Sequence, residues 1–329
     1  MSPNAKKPKI IVVLGPTASG KSDLVVKLAK KISAKFGGAE IISADSRQIY
    51  KGMDIGTGKV PKDKNPKSKI LISKQIRNSK SQTSKKPYFY KGVVHHLLDV
   101  ASPKRTFTVA QYQKLANQAI KKILKKGKMP IICGGTGLYI DAIIDNVIFP
   151  DVPPNYHLRK KLEKLTTAEL FEKLKKLDPN RAKNIDKNNP RRLIRALEIV
   201  MISKKPVPKI KKQKKYDALK IGIKRQPAKL KKLIRKRLLK RIGAGMIQEI
   251  KKLHEQGVSW KRLFDFGLEY RWISLYLQKK ISKTEMIEKL NQAIVDYAKR
   301  QMTWFKRDKE IQWVNDYKQA LKITKTRGY

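Results

Sequence analysis

One short stretch near the start of the chain constrains its fold more than any other. The apolar run from Ile10 to Leu14 has the length of a buried strand and leads directly into Gly15-Pro16-Thr17-Ala18-Ser19-Gly20-Lys21-Ser22. Apolar residues then recur at helical spacing from Leu24 to Ile32. A strand, a glycine loop and a helix in this order are typical of a phosphate-binding loop, where backbone N–H groups and a lysine surround phosphate oxygens. The stretch therefore predicts a site for a di- or triphosphate, without indicating which one.

The alternation of strand and helix continues through the first half of the chain. Ile41 to Ala44 is a second apolar strand, Val109 to Leu124 is an amphipathic helix, and Ile131 to Cys133 is a third strand that runs into Gly134-Gly135-Thr136-Gly137. Short apolar strands alternating with helices are typical of α/β proteins whose parallel sheet is covered on both faces. We therefore predict a doubly wound parallel sheet.

Two later parts of the chain depart from this rhythm. Lys59 to Lys91 is rich in lysine and interrupted by prolines, which predicts an exposed basic insertion. From Pro154 onward the pattern is helical, and Leu158 to Leu177 is predicted to be one helix. A further helix, Arg191 to Ile202, follows the capping pair Asn189-Pro190.

The charge of the chain indicates an anionic partner. Lysine and arginine total 78 residues against 26 aspartates and glutamates, a formal net charge of +52. Nucleic acid is the first candidate, ahead of a polyphosphate substrate or a membrane surface, and a general excess of lysine without a specific partner is the alternative. The lone Cys133 excludes a disulfide framework and a cysteine-rich zinc site. No apolar run approaches the roughly eighteen residues of a membrane span.

Three side chains near predicted strand ends are candidates for chemistry. Asp45 follows the second strand and, in a doubly wound sheet, lies within reach of the phosphate loop. A Mg²⁺ ligand, a helix cap and a general base all fit its position. Asp99 follows Leu97-Leu98 and competes for these roles, while the hydroxyl of Ser22 is a candidate Mg²⁺ ligand. Position along the chain does not rank the two carboxylates.

Several blocks of sequence resemble the tRNA dimethylallyltransferase family, the isopentenyl-tRNA transferases. The phosphate loop is one of them. The most specific is Asp45 to Lys59, which matches the family pattern almost residue for residue. Later blocks resemble the family in the same order: His95–Asp99, Gly134–Tyr139, Arg192–Glu198 and Tyr297–Phe305. The resemblance runs from about Ile10 to Trp313.

The resemblance implies transfer of a dimethylallyl group from dimethylallyl diphosphate to N6 of adenosine 37 in the anticodon loop of tRNA, with release of diphosphate. It implies an α/β fold in which a phosphate-loop core (1–149, with the basic insertion at 59–91) carries a small helical insertion domain (150–204). Residues 205–329 would continue the core with basic and C-terminal helices. Mg²⁺ is the implied cofactor. The expected partners are tRNA and dimethylallyl diphosphate, with no membrane, and a cytoplasmic monomer is expected.

The resemblance also implies roles for individual residues. Asp45 is expected to act as the base on the adenine amine. Thr17 and Thr136 are expected to line the reaction centre, and Lys21 to stabilise the departing diphosphate. The residues expected to hold diphosphate, rather than a nucleotide, are Gly15, Pro16, Thr17, Ala18, Ser19, Gly20, Lys21 and Ser22, with Ser22 as the metal ligand. The expected tRNA contacts are Asp45, Ser46, Arg47, Gln48, Thr136, Arg191, Arg192, Leu193, Ile194 and Arg195.

Some positions depart from the family pattern. Where members commonly have an Arg-Ile pair before the basic helix, this chain has Leu233-Ile234. A diphosphate-binding arginine there would have to be replaced by Arg235 or Arg237. A common Gly-Tyr-Lys/Arg segment is Gly267-Leu268-Glu269 in this chain. No paired cysteines follow Trp313, which favours a bacterial type without the zinc finger of eukaryotic relatives.

Two other functions remain open on the sequence. A kinase of a small metabolite would turn over nucleotide without RNA, but it leaves the basic excess and the Asp45 to Lys59 segment unexplained. An RNA-binding protein with a relic loop would not need an intact Gly20-Lys21-Ser22. Incubation with dimethylallyl diphosphate, Mg²⁺ and unmodified tRNA distinguishes these possibilities.

Overall fold

A seven-stranded sheet forms the centre of the structure. The computed structural model describes residues 7–32, 36–63, 87–209 and 211–328. The strands are β1 (Lys9–Leu14), β2 (Ala39–Ala44), β3 (Tyr88–Tyr90), β4 (Val93–His96), β5 (Met129–Gly134), β6 (Asp217–Ile223) and β7 (Gln312–Val314). Their order is β3-β4-β2-β5-β1-β6-β7, and only the β3–β4 pair is antiparallel. The predicted parallel α/β sheet is confirmed.

The helices of the described ranges divide between two compact units. They are α1 (Lys21–Ile32), α2 (Val109–Lys125), α3 (Gly137–Ile144), α4 (Tyr156–Leu162), α5 (Thr167–Leu177), α6 (Pro179–Lys183), α7 (Pro190–Ser203), α8 (Pro227–Gly243), α9 (Met246–Glu255), α10 (Trp260–Phe266), α11 (Leu268–Leu277), α12 (Lys283–Phe305) and α13 (Tyr317–Thr326). One unit ends at Asp145 and resumes at Lys214, and the other is Asn146–Gln213. The second unit contains the whole of the predicted insertion, 150–204, and extends beyond both of its ends. None of these helices is both long and apolar enough to cross a membrane.

Each face of the sheet has its own apolar core. Side chains of a strand point alternately to the two faces. Val12 and Leu14 therefore pack with α2 and α3, whereas Ile11 and Val13 pack with α1 and α13. Because helices cover both faces, these four side chains are all buried, as expected of a central parallel strand.

A third core positions the helices that follow β6. The segment after Asp45 buries Ile49 and Met53 among α8, α9, α11 and α12, where they meet Ile234 and Tyr270. This packing holds α8 and α11 beside the end of β2. It explains how side chains 179 to 222 residues away in sequence reach the same edge of the sheet.

The second unit contains α4 to α7, and here one prediction is wrong. Leu158 to Leu177 is not a single helix, because α4 ends at Leu162 and α5 begins at Thr167. Thr166 and Glu169 form a capping box in which each side chain accepts from the other's backbone N–H, at 3.2 and 2.7 Å. Such a box satisfies the free N–H groups of a new helix start, so it favours a break over continuation.

The predicted basic insertion Lys59 to Lys91 is described only at its two ends. Residues 64–86 lie outside the described part of the chain. The carboxylate of Asp63 accepts hydrogen bonds from the backbone N–H groups of Lys91 and Gly92, at 3.0 and 2.9 Å. Asp63, in the first part of the insertion, therefore lies next to Lys91, its last residue. Its last residues form β3, a strand that the sequence pattern did not predict.

Candidate active site

A cavity of about 340 Å³ lies where β1, β2 and β5 end side by side. Neighbouring parallel strands bring the loops that follow them to one edge of the sheet, which is where open α/β sheets bind ligands. The phosphate loop, the turn after Asp45 and the loop after β5 meet there. Side chains from α8, α11 and α12 complete the cavity.

The backbone of the loop between β1 and α1 suits a phosphate group. Gly15 has φ +146, and a Cβ at this position would lie 2.9 Å from the carbonyl oxygen of Ile223 on β6. Gly20 has φ +92, which residues with side chains rarely adopt. Helix α1 begins at Lys21, so its free N–H groups face the loop and favour an anion.

Lys21 lies at the centre of the phosphate loop without a carboxylate partner among the described residues. Its amine donates a 2.6 Å hydrogen bond to the carbonyl oxygen of Pro16. Burial lowers the pKa of Lys21 to about 8; Cys133 and Asp45 oppose this effect, and Arg237 adds to it. A bound anion would favour the charged amine and raise this pKa.

The buried hydroxyl of Ser19 is suited to contact a bound phosphate. Ser19 is 2% exposed, and its Oγ has no hydrogen-bond partner in the described part of the protein. A buried polar group without a partner is costly. A phosphate oxygen in the cavity, which Ser19 lines, would provide that partner.

Ser22 is the residue that could contact a metal. It lines the cavity from the first turn of α1. No group of three or more His, Cys, Asp and Glu side chains able to hold a metal occurs in the described ranges. Mg²⁺ commonly takes few protein ligands and completes its shell with substrate phosphates and water. The donors present therefore fit a Mg²⁺ ion that arrives with a diphosphate, and do not fit a resident ion held by protein alone.

Asp45 has one oxygen engaged and one available. Its Oδ1 accepts hydrogen bonds from the backbone N–H groups of Arg47 and Gln48, at 2.9 and 3.3 Å. Its Oδ2 has no hydrogen bond within the ranges that the structure describes, and the residue lines the cavity. Asp45 thus caps the turn and still presents a carboxylate oxygen. Of the three roles open on the sequence, a helix cap is not observed, because a turn and not a helix follows Asp45.

Asp99 has a structural role. The amine of Lys59 contacts Asp99 at 2.6 Å, Asp54 at 2.5 Å and the carbonyl oxygen of Tyr50 at 2.9 Å. The side chain of Lys59 is completely buried, so it depends on these partners for its charge. Asp99 does not line the cavity. The structure therefore separates the two carboxylates that the sequence could not rank.

Gln301 on α12 connects two sides of the cavity. Its side-chain oxygen accepts from the backbone N–H of Thr17 at 2.8 Å, and its amide donates to the carbonyl oxygen of Gly135 at 2.8 Å. Thr17 lines the cavity, and its role in the reaction centre stays a prediction. Gln301 belongs to the Tyr297–Phe305 block, but its bridging role was not predicted.

Thr136 and Ser46 lie beside the cavity and contact each other. The Oγ1 of Thr136 accepts a 3.1 Å hydrogen bond from the backbone N–H of Ser46. Neither residue lines the cavity, whereas Asp45, Arg47 and Gln48 do. Thr136 therefore fixes the turn that carries Asp45.

Three arginines line the cavity, and only Arg47 was among the predicted contacts. Arg237 and Arg241 project from α8, and the guanidinium of Arg237 donates to the carbonyl oxygen of Gly58 at 3.3 Å. Arg235, the other sequence candidate for the missing family arginine, is exposed to solvent. A helical projection could have separated them, because Arg237 and Arg241 flank the buried Leu238 at helical spacing.

The segment Arg191 to Arg195 belongs to the other unit. Leu193 and Ile194 are buried in the core of that unit, so their side chains present no surface to RNA and the predicted contacts there are corrected to packing. Arg195 contacts the buried Glu198 at 2.6 Å, and Arg192 lies 3.8 Å from Asp186. Arg191 is exposed.

Comparisons with known proteins show the family to which the chain is similar. The model of the IPP transferase family matches residues 77–308. A tRNA dimethylallyltransferase of Anoxybacillus flavithermus is 39% identical over 309 residues, which cover 93% of this chain and 89% of the relative.

Solved structures show the same similarity. The full-length tRNA isopentenylpyrophosphate transferase of Bacillus halodurans is 32% identical, with a TM-score of 0.65, over 97% of this chain and 94% of that one. A eukaryotic dimethylallyltransferase acting on tRNA shares the fold, with a TM-score of 0.69 at 23% identity over 97% of this chain and 77% of that one. The phosphate loop, the carboxylate beside it and these matches together lead to one conclusion: the chain belongs to the IPP transferase family, the tRNA dimethylallyltransferases.

Proposed function

We propose that this enzyme transfers a dimethylallyl group from dimethylallyl diphosphate to N6 of adenosine 37 in tRNA. The observation that carries the proposal is the pairing of a phosphate loop with a carboxylate in one cavity. Asp45 presents Oδ2 to the space that the phosphate loop surrounds. Phosphate binding alone would not require that carboxylate.

The reaction forms one bond and breaks one. The adenine N6 bonds to the allylic carbon, the bond from that carbon to the diphosphate oxygen breaks, and diphosphate leaves with the electron pair. The proton lost from N6 passes to Oδ2 of Asp45. General-base catalysis of this kind contributes about 10²–10⁴-fold.

The loop residues stabilise the leaving group. Backbone N–H groups of residues 20–22 and the amine of Lys21 would bind diphosphate oxygens, and the hydroxyl of Ser19 would donate to one of them. Arg237 supplies a further cation from α8. Mg²⁺, held by Ser22 and the diphosphate, would neutralise part of the leaving group's charge. These groups stabilise charge that develops as the allylic bond breaks.

The target base has to leave the RNA stack to react. The diphosphate site lies recessed at the edge of the sheet, so a stacked adenine could not bring N6 to it. Unstacking costs a few kcal/mol and is offset by contacts to flanking nucleotides and phosphates. We assign such contacts to Arg47 and Gln48 at the cavity and to Arg191, Arg192 and Arg195 on the second unit. We further propose that the enzyme is a cytoplasmic monomer, because tRNA and the allylic donor are both water-soluble and one chain carries the whole cavity.

The test is prenyl transfer itself. Full-length enzyme is incubated with dimethylallyl diphosphate, Mg²⁺ and unmodified tRNA, and the digested nucleosides are analysed by mass. The expected product is adenosine with one added C₅H₈ unit, confined to position 37 and absent with Asp45→Asn. Parallel calorimetry with dimethylallyl diphosphate and with ATP tests the donor. Much tighter ATP binding with steady phosphate release would overturn the proposal in favour of a kinase or ATPase.

A further inference from the structure

The cavity contains more cationic side chains than the binding of one diphosphate requires. Five cationic side chains and three carboxylates line it: Lys21, Arg47, Lys59, Arg237 and Arg241, with Asp23, Asp45 and Glu269. The amine of Lys59 is paired with Asp54 and Asp99, which leaves four cations to consider for diphosphate binding. If all four bound diphosphate, the product would be held tightly and released slowly.

Glu269 divides the arginines into two groups. One carboxylate oxygen contacts the guanidinium of Arg47 at 2.6 Å, and the other contacts Arg241 at 3.0 Å. The side chains are 4%, 14% and 13% exposed respectively, so solvent does little to screen these pairs. Glu269 also lies in the first turn of α11, where a helix favours negative charge.

Both arginines paired with Glu269 are electrostatically satisfied. Burial would lower the pKa of Arg47, but the Glu269 carboxylate raises it above its ordinary value. Arg241 also donates to the carbonyl oxygens of Ile55 and Gly56, which fixes it against the loop that follows β2. Although burial opposes ionisation of Glu269, the two arginines lower its pKa to about 2.

Lys21 and Arg237 are in the opposite state. Neither forms an ion pair in the described part of the chain, and each has one hydrogen bond, to the carbonyl oxygens of Pro16 and Gly58 respectively. Burial, with Arg241 as the next cause, lowers the pKa of Arg237. These two cations therefore lack a counterion that a diphosphate would supply.

We propose that Glu269 is a positioning residue which withdraws Arg47 and Arg241 from diphosphate binding and leaves Lys21 and Arg237 to hold the donor. This inference rests on the proposed function. Glu269 has a second effect: because it neutralises part of the positive charge in the cavity, product diphosphate can leave after each turnover. Glu269 acts through the arginines and does not touch the reacting atoms.

The experiment measures binding of inorganic pyrophosphate to the full-length protein by calorimetry at fixed Mg²⁺, without tRNA. Glu269→Gln keeps the size of the side chain and removes its charge. It should bind pyrophosphate about tenfold more tightly, because Arg47 and Arg241 then lack their carboxylate and the net charge of this poorly solvated site rises by one. In turnover with tRNA it should show a normal first turnover followed by a slow steady state limited by pyrophosphate release.

A double variant distinguishes the effect of net charge from the effect of a disrupted structure. Glu269→Gln with Arg241→Gln restores the net charge of the cavity, so its pyrophosphate affinity should return toward that of wild type. If Glu269 had only a structural role, the second substitution would move pyrophosphate affinity further from that of wild type. Glu40→Gln is the matched control, because Glu40 is an equally buried carboxylate at the other end of β2, paired with Lys126 and Lys128. It should leave pyrophosphate affinity within about twofold.

Two outcomes would overturn different statements. Unchanged or weaker pyrophosphate binding by Glu269→Gln, in an enzyme whose wild type transfers the prenyl group, would overturn the assignment of Glu269 alone. Should Glu269→Gln fail to fold, the charge-balanced double variant decides: affinity far from wild type would count equally against the assignment. Absence of prenyl transfer by wild type would overturn the proposed function, whatever the pyrophosphate results.

Discussion

The backbone N–H of Thr17 donates a 2.8 Å hydrogen bond to the side-chain oxygen of Gln301, 284 residues further along the chain. The same side chain donates to the carbonyl oxygen of Gly135. One amide group thus sets the spacing between the phosphate loop and the loop after β5. Because β5 lies between β1 and β2 in the sheet, the distance from Asp45 to a diphosphate in the phosphate loop depends on this bridge.

Gln301→Leu should therefore reduce activity without removing a group that reacts. It leaves a buried N–H and a buried carbonyl unpaired, which should lower the free energy of unfolding by about 1–3 kcal/mol. We expect kcat to fall about tenfold, measured at a temperature where the variant is folded. Gln301→Glu keeps an acceptor for Thr17 and, when protonated, a donor for Gly135, so it should lose less stability than Gln301→Leu at low pH; at high pH a buried carboxylate would face the carbonyl oxygen of Gly135. Equal kcat for Gln301→Leu and wild type would show that the bridge does not position the site.

Asp45→Asn tests the general base. The amide retains the shape and can still cap the turn, so kcat should fall about 10²-fold or more while the Kd for tRNA changes little. Asp99→Asn is the comparison: it removes a partner of the buried Lys59 and should lower thermal stability, with kcat of the folded enzyme nearly unchanged. A large fall in kcat for Asp99→Asn, together with a nearly normal kcat for Asp45→Asn, would mean that these roles are reversed.

Arg237 and Arg235 form a matched pair on α8. Arg237→Gln should raise KM for dimethylallyl diphosphate about tenfold or more, because a charged hydrogen bond contributes about 1.5–3 kcal/mol. Arg235→Gln removes the same charge from the exposed face of the helix and should leave that KM within about twofold. Steady-state kinetics at saturating tRNA measures both. Similar effects from the two variants would indicate that only overall charge matters.

Outward-facing lysines of α8 should bind RNA backbone. Lys229, Lys232, Lys236 and Lys240 recur at helical spacing on its exposed side, and none has an ion pair among the described residues. Changing all four to glutamine should weaken tRNA binding and lower the slope of log K against log salt by ~0.7–0.9 per lost contact. The control is the same change at Lys114, Lys121, Lys122 and Lys125 of α2. Equal slopes for the two variants would contradict a specific surface.

Glu40 predicts a pH dependence of stability. Burial would raise its pKa, but the hydrogen bond with His96 and the charges of Lys126 and Lys128 hold it at about 2, against an ordinary 4.5. The unfolded chain therefore takes up a proton at higher pH than the folded one. The stabilisation from Glu40, about 3 kcal/mol, is complete above pH 4.5 and is lost as pH falls toward 2.

Glu40→Gln measures that contribution. Urea unfolding at pH 7 should show the variant to be less stable, with the difference from wild type shrinking as pH falls below about 4.5. Glu310→Gln is the control, since Glu310 also has a pKa lowered to about 2, by Lys214 and Lys220, but its side chain is 59% exposed. Solvent screens such pairs, so its loss should cost less than about 1 kcal/mol. A difference for Glu40→Gln that is constant with pH would contradict the assignment.

Local sequence was sufficient for the phosphate loop and for the strands around it. Gly15 and Gly20 occupy positions where positive φ is required, and the apolar run before them is buried on both faces. The Asp45 segment and the parallel sheet were also predictable, because each depends on residues close together in the chain. The break at Thr166 was missed, since its capping box competes with an apolar pattern that continues past it.

The cavity walls were decided only by tertiary structure. Glu269, Arg241 and Gln301 meet residues near the start of the chain across separations of up to 284 residues, and no local pattern marks those pairings. Asp45 and Asp99 likewise look alike in sequence, and only burial of Lys59 beside Asp99 separates them. The sequence by itself determined which backbone would bind phosphate, because backbone conformation depends on neighbouring residues. Which charges face that phosphate depends on packing between distant helices, and this only the folded chain decides.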